Sequence, residues 1–225
     1  EADHVCVLTE EMRDELVRRG VPADRMTVTP NGVDPQQFQP LPAVGDMHRS
    51  LGFDADRVVI GYVGSFVDYE GLDDLVEACL RLARRRDDFQ LVLAGDGPSL
   101  PRIRETLAER GGELVHHVLG RIDADRIPAL LDEVDVIACP RTSTPVTRLV
   151  SPLKPLEAAA AGIPVVLSDL PVLQSLARES DGAVTFPAGD VEVLAAALES
   201  LIEDPERRAE LGLSLIHISE PTRRR

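Results

Sequence analysis

Val58-Val-Ile-Gly-Tyr-Val63 is a continuous apolar run, and Leu91-Val-Leu-Ala94 repeats the pattern further along the chain. Neither run alternates polar with apolar positions, so both faces of each strand are covered, as in parallel strands inside an α/β sheet. Outward from this pair, strands are predicted at Val5–Leu8, Met26–Thr29, Gln90–Ala94, Val115–Leu119, Val134–Cys139, Pro164–Ser168 and Ala183–Phe186. Helical patterns fill the gaps at Glu10–Arg19 (with Thr9 as cap and Gly20 as stop), Leu72–Arg84, Leu100–Arg110, Arg126–Leu131, Leu153–Ala161, Pro171–Arg178 and Val191–Ile202. A last helical stretch, Leu201–Leu213, is interrupted at Asp204-Pro205. Strand–helix–strand alternation of this kind predicts an α/β fold built on a doubly wound, Rossmann-like parallel sheet with right-handed crossovers.

In such a sheet a ligand sits beyond the carboxyl ends of the strands. There the chain places Gly64-Ser65-Phe66, Gly95-Asp-Gly-Pro98, Gly120-Arg121-Ile122 and, after Cys139, the loop Pro140–Ser151. One glycine after a strand is ordinarily a tight turn; a series of them suggests backbone that must approach a ligand closely. The stretch Arg141–Val166, RTSTPVTRLVSPLKPLEAAAAGIPVV, adds charge. It holds Lys154, the one lysine of the chain, in the first turn of the helix predicted over Leu153–Ala161, with Ser151 as N-cap and Pro152 at the first helical position. A cation there opposes the helix macrodipole by about 0.3–1 kcal/mol, so stability alone does not call for it. Together with the backbone of Ser151, Pro152 and Leu153 it makes an anion site suited to phosphate. Glu157, one turn on and on the same face, suits the hydroxyls of a ribose. The reading is a nucleotide diphosphate lying across this helix; the plain alternative is a solvated lysine and an ordinary surface carboxylate. Ser151 and Lys154 also match the S-x-x-K spacing of acyl-transfer enzymes, but the chain has no S-D-N or K-T-G partner for it.

With 225 residues, 44% hydrophobic and 28% charged, the chain has room for one large domain, or one domain and a piece of another. A net charge of −15 excludes a nucleic-acid polymer as partner but not a small phosphorylated ligand, which needs only a few local cations. Arg84-Arg85-Arg86 reads as the solvated end of a helix. Cys6, Cys79 and Cys139 share no metal or redox spacing, and Cys79 and Cys139 sit in apolar runs, which predicts buried free thiols and a reducing, cytoplasmic location. No apolar run is long enough to span a bilayer. Nothing supports contact with a membrane surface, which composition leaves open.

The motifs in their order resemble the C-terminal nucleotide-binding domain of glycosyltransferase family 4, whose GT-B fold sets two Rossmann-like domains face to face. The carriers are Pro30-Asn-Gly-Val-Asp34, Gly61-Tyr-Val-Gly64 with Gly71-Leu-Asp73, Gly95-Asp-Gly-Pro98, Gly120-Arg121, Leu156-Glu-Ala158 with Gly162-Ile-Pro-Val-Val166, and Phe186-Pro-Ala-Gly-Asp190. The resemblance runs from about Ala2 to Gly212. It implies retaining transfer of a sugar from a nucleotide-diphosphate donor to a hydroxyl of a glycan, lipid or small-molecule acceptor. It implies no cofactor and no metal, protein cations stabilising the leaving diphosphate instead. By the same resemblance Glu157 holds the donor ribose, the backbone of Arg121 and Ile122 meets the base, and Gly64 and Ser65 lie against the phosphates.

The chain departs from the family's pattern in three places. The first of two glutamates usually separated by seven residues falls at Leu149, and the usual arginine and lysine of the first turn fall at Ser65 and Glu70. Arg148 and Lys154, with Arg141 in reserve, are the cations left to neutralise a diphosphate. A decayed site, in a nucleotide-binding pseudoenzyme or assembly module, is one alternative; a nucleotide-sugar 2-epimerase of the same fold is another. His116 and His117 read as structural. The expected organisation is a remnant of a preceding Rossmann-like domain at 1–29, a proline-rich linker at 30–56 and the nucleotide-sugar-binding domain at 57–212. Ser214–Arg223, SLIHISEPTR, resembles the translation of a sequencing adaptor, so 213–225 is expected to be an artefact. The N-terminal domain of such an enzyme is expected to be missing, leaving the chain inactive on its own.

Overall fold

The computed structural model describes residues 2–34, 37–38, 51–180 and 182–219. Strand β1 (Val5–Val7), helix α1 (Glu10–Arg18) and strand β2 (Met26–Val28) form a β-α-β piece whose two strands pair in parallel. Thr9 caps α1 as expected, its hydroxyl accepting from the Met12 N–H at 3.1 Å.

The main sheet has six parallel strands: β3 (Val58–Val63), β4 (Phe89–Ala94), β5 (His116–Gly120), β6 (Val136–Cys139), β7 (Val165–Ser168) and β8 (Ala183–Phe186). Their spatial order is β5-β4-β3-β6-β7-β8, so the winding reverses between β3 and β6. That reversal is the topological switch point of a doubly wound sheet, where the connections leave in opposite directions and open a crevice.

Helices α2 (Leu72–Ala83), α3 (Leu100–Arg110) and α7 (Val191–Glu203) belong with one face of the sheet. The second apolar cluster draws on α4 (Ile127–Leu131), α5 (Lys154–Ala160), α6 (Pro171–Ser180) and α8 (Pro205–Ser219). Successive residues of the central strand feed opposite sides: Ile60 and Tyr62 enter the first cluster and Val59 the second, all fully buried. This explains the unbroken apolar runs, because the inner positions of β3 and every position of β4 are buried.

Arg85 and Arg86 are not simply solvated. Arg85 meets Glu199, while Arg86 meets Asp88, Glu199 and Glu203, tying the end of α2 to α7. Cys79 and Cys139 are buried free thiols as expected, and burial pushes the Cys139 thiol up to about 12. His116 and His117 stand at the start of β5, the end away from the crevice. The His117 ring lies 4.8 Å from that of Phe53, and burial lowers its pKa.

Much of the expected linker, 35–36 and 39–50, and residues 220–225 of the expected artefact lie outside the described residues. Helix α8 continues to Ser219, and Leu215 within it is fully buried. No described helix is long and apolar enough to cross a membrane.

Candidate functional site

The carboxyl ends of β3, β4 and β5 enclose a cleft of about 400 Å³. Gly64 and Ser65 line it from the first strand, Gly95, Asp96 and Gly97 from the second, and Arg121 with Ile122 from the third, Ile127 closing the side. Four of the residues expected to bind the donor, Gly64, Ser65, Arg121 and Ile122, thus meet on one surface. Gly64 has φ +150°, and a Cβ there would stand 1.9 Å from Cε of Lys154. The lysine stem therefore lies directly on the glycine, and the chain needs glycine here both for its backbone and for the space.

Across the switch point, the Pro140–Ser151 loop and α5 face the first turn after β3. Gly71 (φ +72°) lets the two segments touch: a Cβ would come within 1.8 Å of the Pro140 carbonyl oxygen. Between them lies a buried cluster of charge. Oε2 of Glu70 accepts from Nζ of Lys154 at 2.8 Å, and Oε1 lies 3.5 Å from Nε of Arg141. The Glu70 and Arg141 side chains are about 95% buried (6% and 5% exposed), and Lys154 is 17% exposed. Nη1 of Arg141 donates to the Val150 carbonyl at 2.8 Å, and its guanidinium stands 5.6 Å from the centre of the Tyr69 ring. Nζ of Lys154 stands 5.0 Å from the centre of the Tyr62 ring. The Tyr62 hydroxyl is 2.8 Å from the Ser65 carbonyl and 3.3 Å from Glu70, and its single proton is better placed for Ser65. Burial and the Glu70 charge raise the Tyr62 pKa, so the phenol stays neutral. Two cations and one carboxylate leave the cluster with a net charge of +1.

Two expectations for the helix entry are corrected. Ser151 is not the N-cap and Pro152 is not the first helical residue: α5 starts at Lys154, behind Leu153, and has no side-chain cap. The cause is Pro155. In a helix entered at Pro152, residue 155 would have to donate its N–H to the Ser151 carbonyl, but proline has no N–H and its ring clashes with the carbonyl four residues back. The Ser151 carbonyl instead accepts from Nδ2 of Asn31 at 2.8 Å. With seven residues, α5 has only a short dipole, and the local positive charge comes chiefly from side chains. The opening segment holds the same loop a second time, where the Thr9 hydroxyl donates to the Leu149 carbonyl at 2.6 Å.

Lys154, read from sequence as a free cation, is paired. Arg148 is exposed and has neither ion pair nor side-chain hydrogen bond among the described residues, while Leu153 is 45% exposed. Glu157 is half-buried, and its carboxylate likewise lacks a hydrogen-bond partner among the described residues. Burial raises its pKa, and Lys154 partly offsets this. Sequence reasoning missed the role of Glu70, which it registered only as a lost lysine. The available signal was reciprocal: an acid at 70 and the single lysine of the chain at 154.

The model of the family Glycosyl transferases group 1 matches residues 44–213, and that of Glycosyltransferase Family 4 matches residues 1–37. The alpha-maltose-1-phosphate synthase of Mycolicibacterium smegmatis is 29% identical over 98% of this chain and 62% of its own length. The alpha-D-kanosaminyltransferase of Streptomyces kanamyceticus is 26% identical over 92% of this chain and 53% of its own. The chain therefore spans a little over half the length of these curated relatives. Among solved structures, Anabaena HepE in complex with UDP superposes with a TM-score of 0.80 at 22% identity, over 97% of this chain and 59% of that one, a likeness of fold.

Proposed function

Because this chain belongs to the glycosyl transferases of group 1, we propose that its cleft binds the nucleotide-diphosphate portion of a sugar donor and that the protein transfers the sugar with retention of configuration. The observation that carries the reading is the net-positive Lys154–Glu70–Arg141 cluster, pressed against Gly64 at the wall of the cleft, with Glu157 unpartnered one turn away. The UDP complex of HepE, a protein of the same fold, supports a nucleotide in a cleft of this kind.

On this reading the diphosphate lies between Gly64, Ser65 and the Lys154 ammonium, the base reaches the backbone of Arg121 and Ile122, and Glu157 accepts from the ribose hydroxyls. The bond from the anomeric carbon to the diphosphate oxygen breaks, and charge grows on the departing phosphate. Lys154, with the exposed Arg148, stabilises that charge without a metal or cofactor. The acceptor oxygen bonds to the anomeric carbon on the same face, and its proton passes to the departing phosphate oxygen. The acceptor is a glycan, a lipid or a small molecule. Since the relatives extend well beyond the span matched here, the chain alone is expected to bind donor without transferring it.

Calorimetric titration with UDP and GDP, comparing the wild type with Lys154→Ala and Glu157→Ala, tests the site. Weakened binding in both variants is expected; unchanged affinity in both would sink the assignment. A second reading, a nucleotide-binding module without turnover, draws on the pairing of Lys154 with Glu70, which takes up part of the charge a leaving diphosphate needs. Release of sugar from a donor by the intact protein separates the two.

A further inference from the structure

We propose that Glu70 is a positioning residue for diphosphate recognition, an assignment that rests on the donor-site reading above: its carboxylate holds the Lys154 ammonium on the Gly64 wall and the Arg141 guanidinium behind it. At first sight the carboxylate is in the wrong place. A site for an anion loses attraction when an acid is built into it, and by Coulomb's law alone the cluster would bind a diphosphate better without Glu70.

The geometry argues otherwise. Lys154 has a long flexible stem that is still 17% exposed, and among the described residues Glu70 is its one ion-pair partner. Arg141 is more deeply buried, fixed by the Val150 carbonyl, and its Nε has no good hydrogen bond. Without the carboxylate two like charges would face each other in a poorly solvated space. The lysine, the more mobile of the two, would leave for solvent. The carboxylate divides its oxygens between the cations, one for each. The ammonium keeps two of its three N–H bonds for other partners, and its stem stays against Gly64. Glu70 thus exchanges some net charge for a lysine fixed before the ligand arrives, and preorganisation of this kind lowers the cost of binding.

The sign of one measurement decides between these views. Affinities of UDP, UMP, GDP and GMP are measured by calorimetry for the full chain and for Glu70→Gln and Glu70→Asp, with melting curves to check folding. The expected result is a wild type that prefers a diphosphate to its monophosphate. In Glu70→Gln the diphosphate should weaken roughly tenfold, with the monophosphate little changed. Glu70→Asp keeps the charge but shortens the reach, and should fall between the two. A folded Glu70→Gln that binds diphosphate as well as or better than wild type would overturn the proposal in favour of a simple counter-charge. Equal loss of mono- and diphosphate would reduce Glu70 to a structural role. If Glu70→Gln does not fold, Glu70→Asp decides on the same ratio, an unchanged preference refuting the assignment. A wild type with no preference for either diphosphate would overturn the donor-site reading itself, and this proposal with it.

Discussion

Two groups of charge sit at opposite ends of the same helix, and they differ in almost everything except residue type. At the C-terminal end of α2, Arg85 and Arg86 meet Glu199, Glu203 and Asp88, most of whose side chains are open to water. Just before its N-terminus, Glu70 meets Lys154 and Arg141 where little solvent reaches. In the first group water can replace any lost partner, and each pair contributes little. In the second, losing one partner strands the others in a low-dielectric space, which makes that arrangement sensitive to a single atom. The stabilising network is thus the tolerant one, and the intolerant one stands behind the Gly64 wall of the cleft.

The largest break in this contrast is expected from Glu70→Ala, which leaves the buried Arg141 without a counter-charge and the partly buried Lys154 without its ion-pair partner. A loss of about 3–5 kcal/mol of stability is expected, seen as a fall in Tm of about 10 °C. A Tm within a degree or two of wild type would mean that water enters the cluster freely and that the contrast between the two groups is false.

Next comes Gly64→Ala. The added methyl group meets the Lys154 stem and requires a backbone conformation that alanine rarely adopts, at a cost of about 1–3 kcal/mol. Because the atom it displaces belongs to a flexible side chain, the larger consequence falls on the ligand: nucleoside-diphosphate affinity is expected to drop more than stability does. Comparing titration with thermal melting of the same variant tests that order.

Much of this fold could be read from the chain before any coordinates. Unbroken apolar runs identified the central strands because each of their faces is covered by helices, and the cap at Thr9 depends on neighbours only three residues away. The glycine turns that line the cleft were legible for the same reason, each being a local event at the end of a strand. What the sequence concealed was long-range. Glu70 and Lys154 are 84 positions apart and no periodicity connects them. The failed cap at Ser151 is a different case: Pro155 stood four residues on, in plain view, and the proline rule alone excludes a helix entered at Pro152. That error came from reading the cap by its residue type without following its carbonyl to a donor, which the structure places in Asn31.

Glu157 sharpens the comparison from within the site. Burial raises its pKa above the ordinary value of 4.5, so ionising it costs the folded state more than the unfolded one. Its effect on stability is therefore absent below about pH 4.5 and becomes unfavourable as pH rises through the folded-state value. Glu157→Gln removes that penalty. The variant is expected to melt above wild type near neutral pH, the difference shrinking on acidification toward pH 4.5, while its affinity for a nucleotide falls. Opposite signs for stability and binding are what a carboxylate kept for a ligand should show; a variant less stable at neutral pH would point to a structural partner instead.

The smallest effect is expected on the tolerant side. In Glu203→Gln, Arg86 keeps Asp88 and Glu199, and the lost carboxylate was itself 61% exposed. The change should stay below about 0.5 kcal/mol, a shift in Tm of about 1–2 °C, and raising the salt concentration to 1 M should erase it, because ions screen an exposed pair well within that range. Nucleotide affinity should not move, since none of the residues that line the cleft belongs to the core cluster through which α7 packs on the sheet. A large, salt-resistant loss here would show that the α2–α7 junction transmits strain into the cleft. The two groups of charge would then have to be treated as one system rather than as a stabilising clamp and a separate binding device.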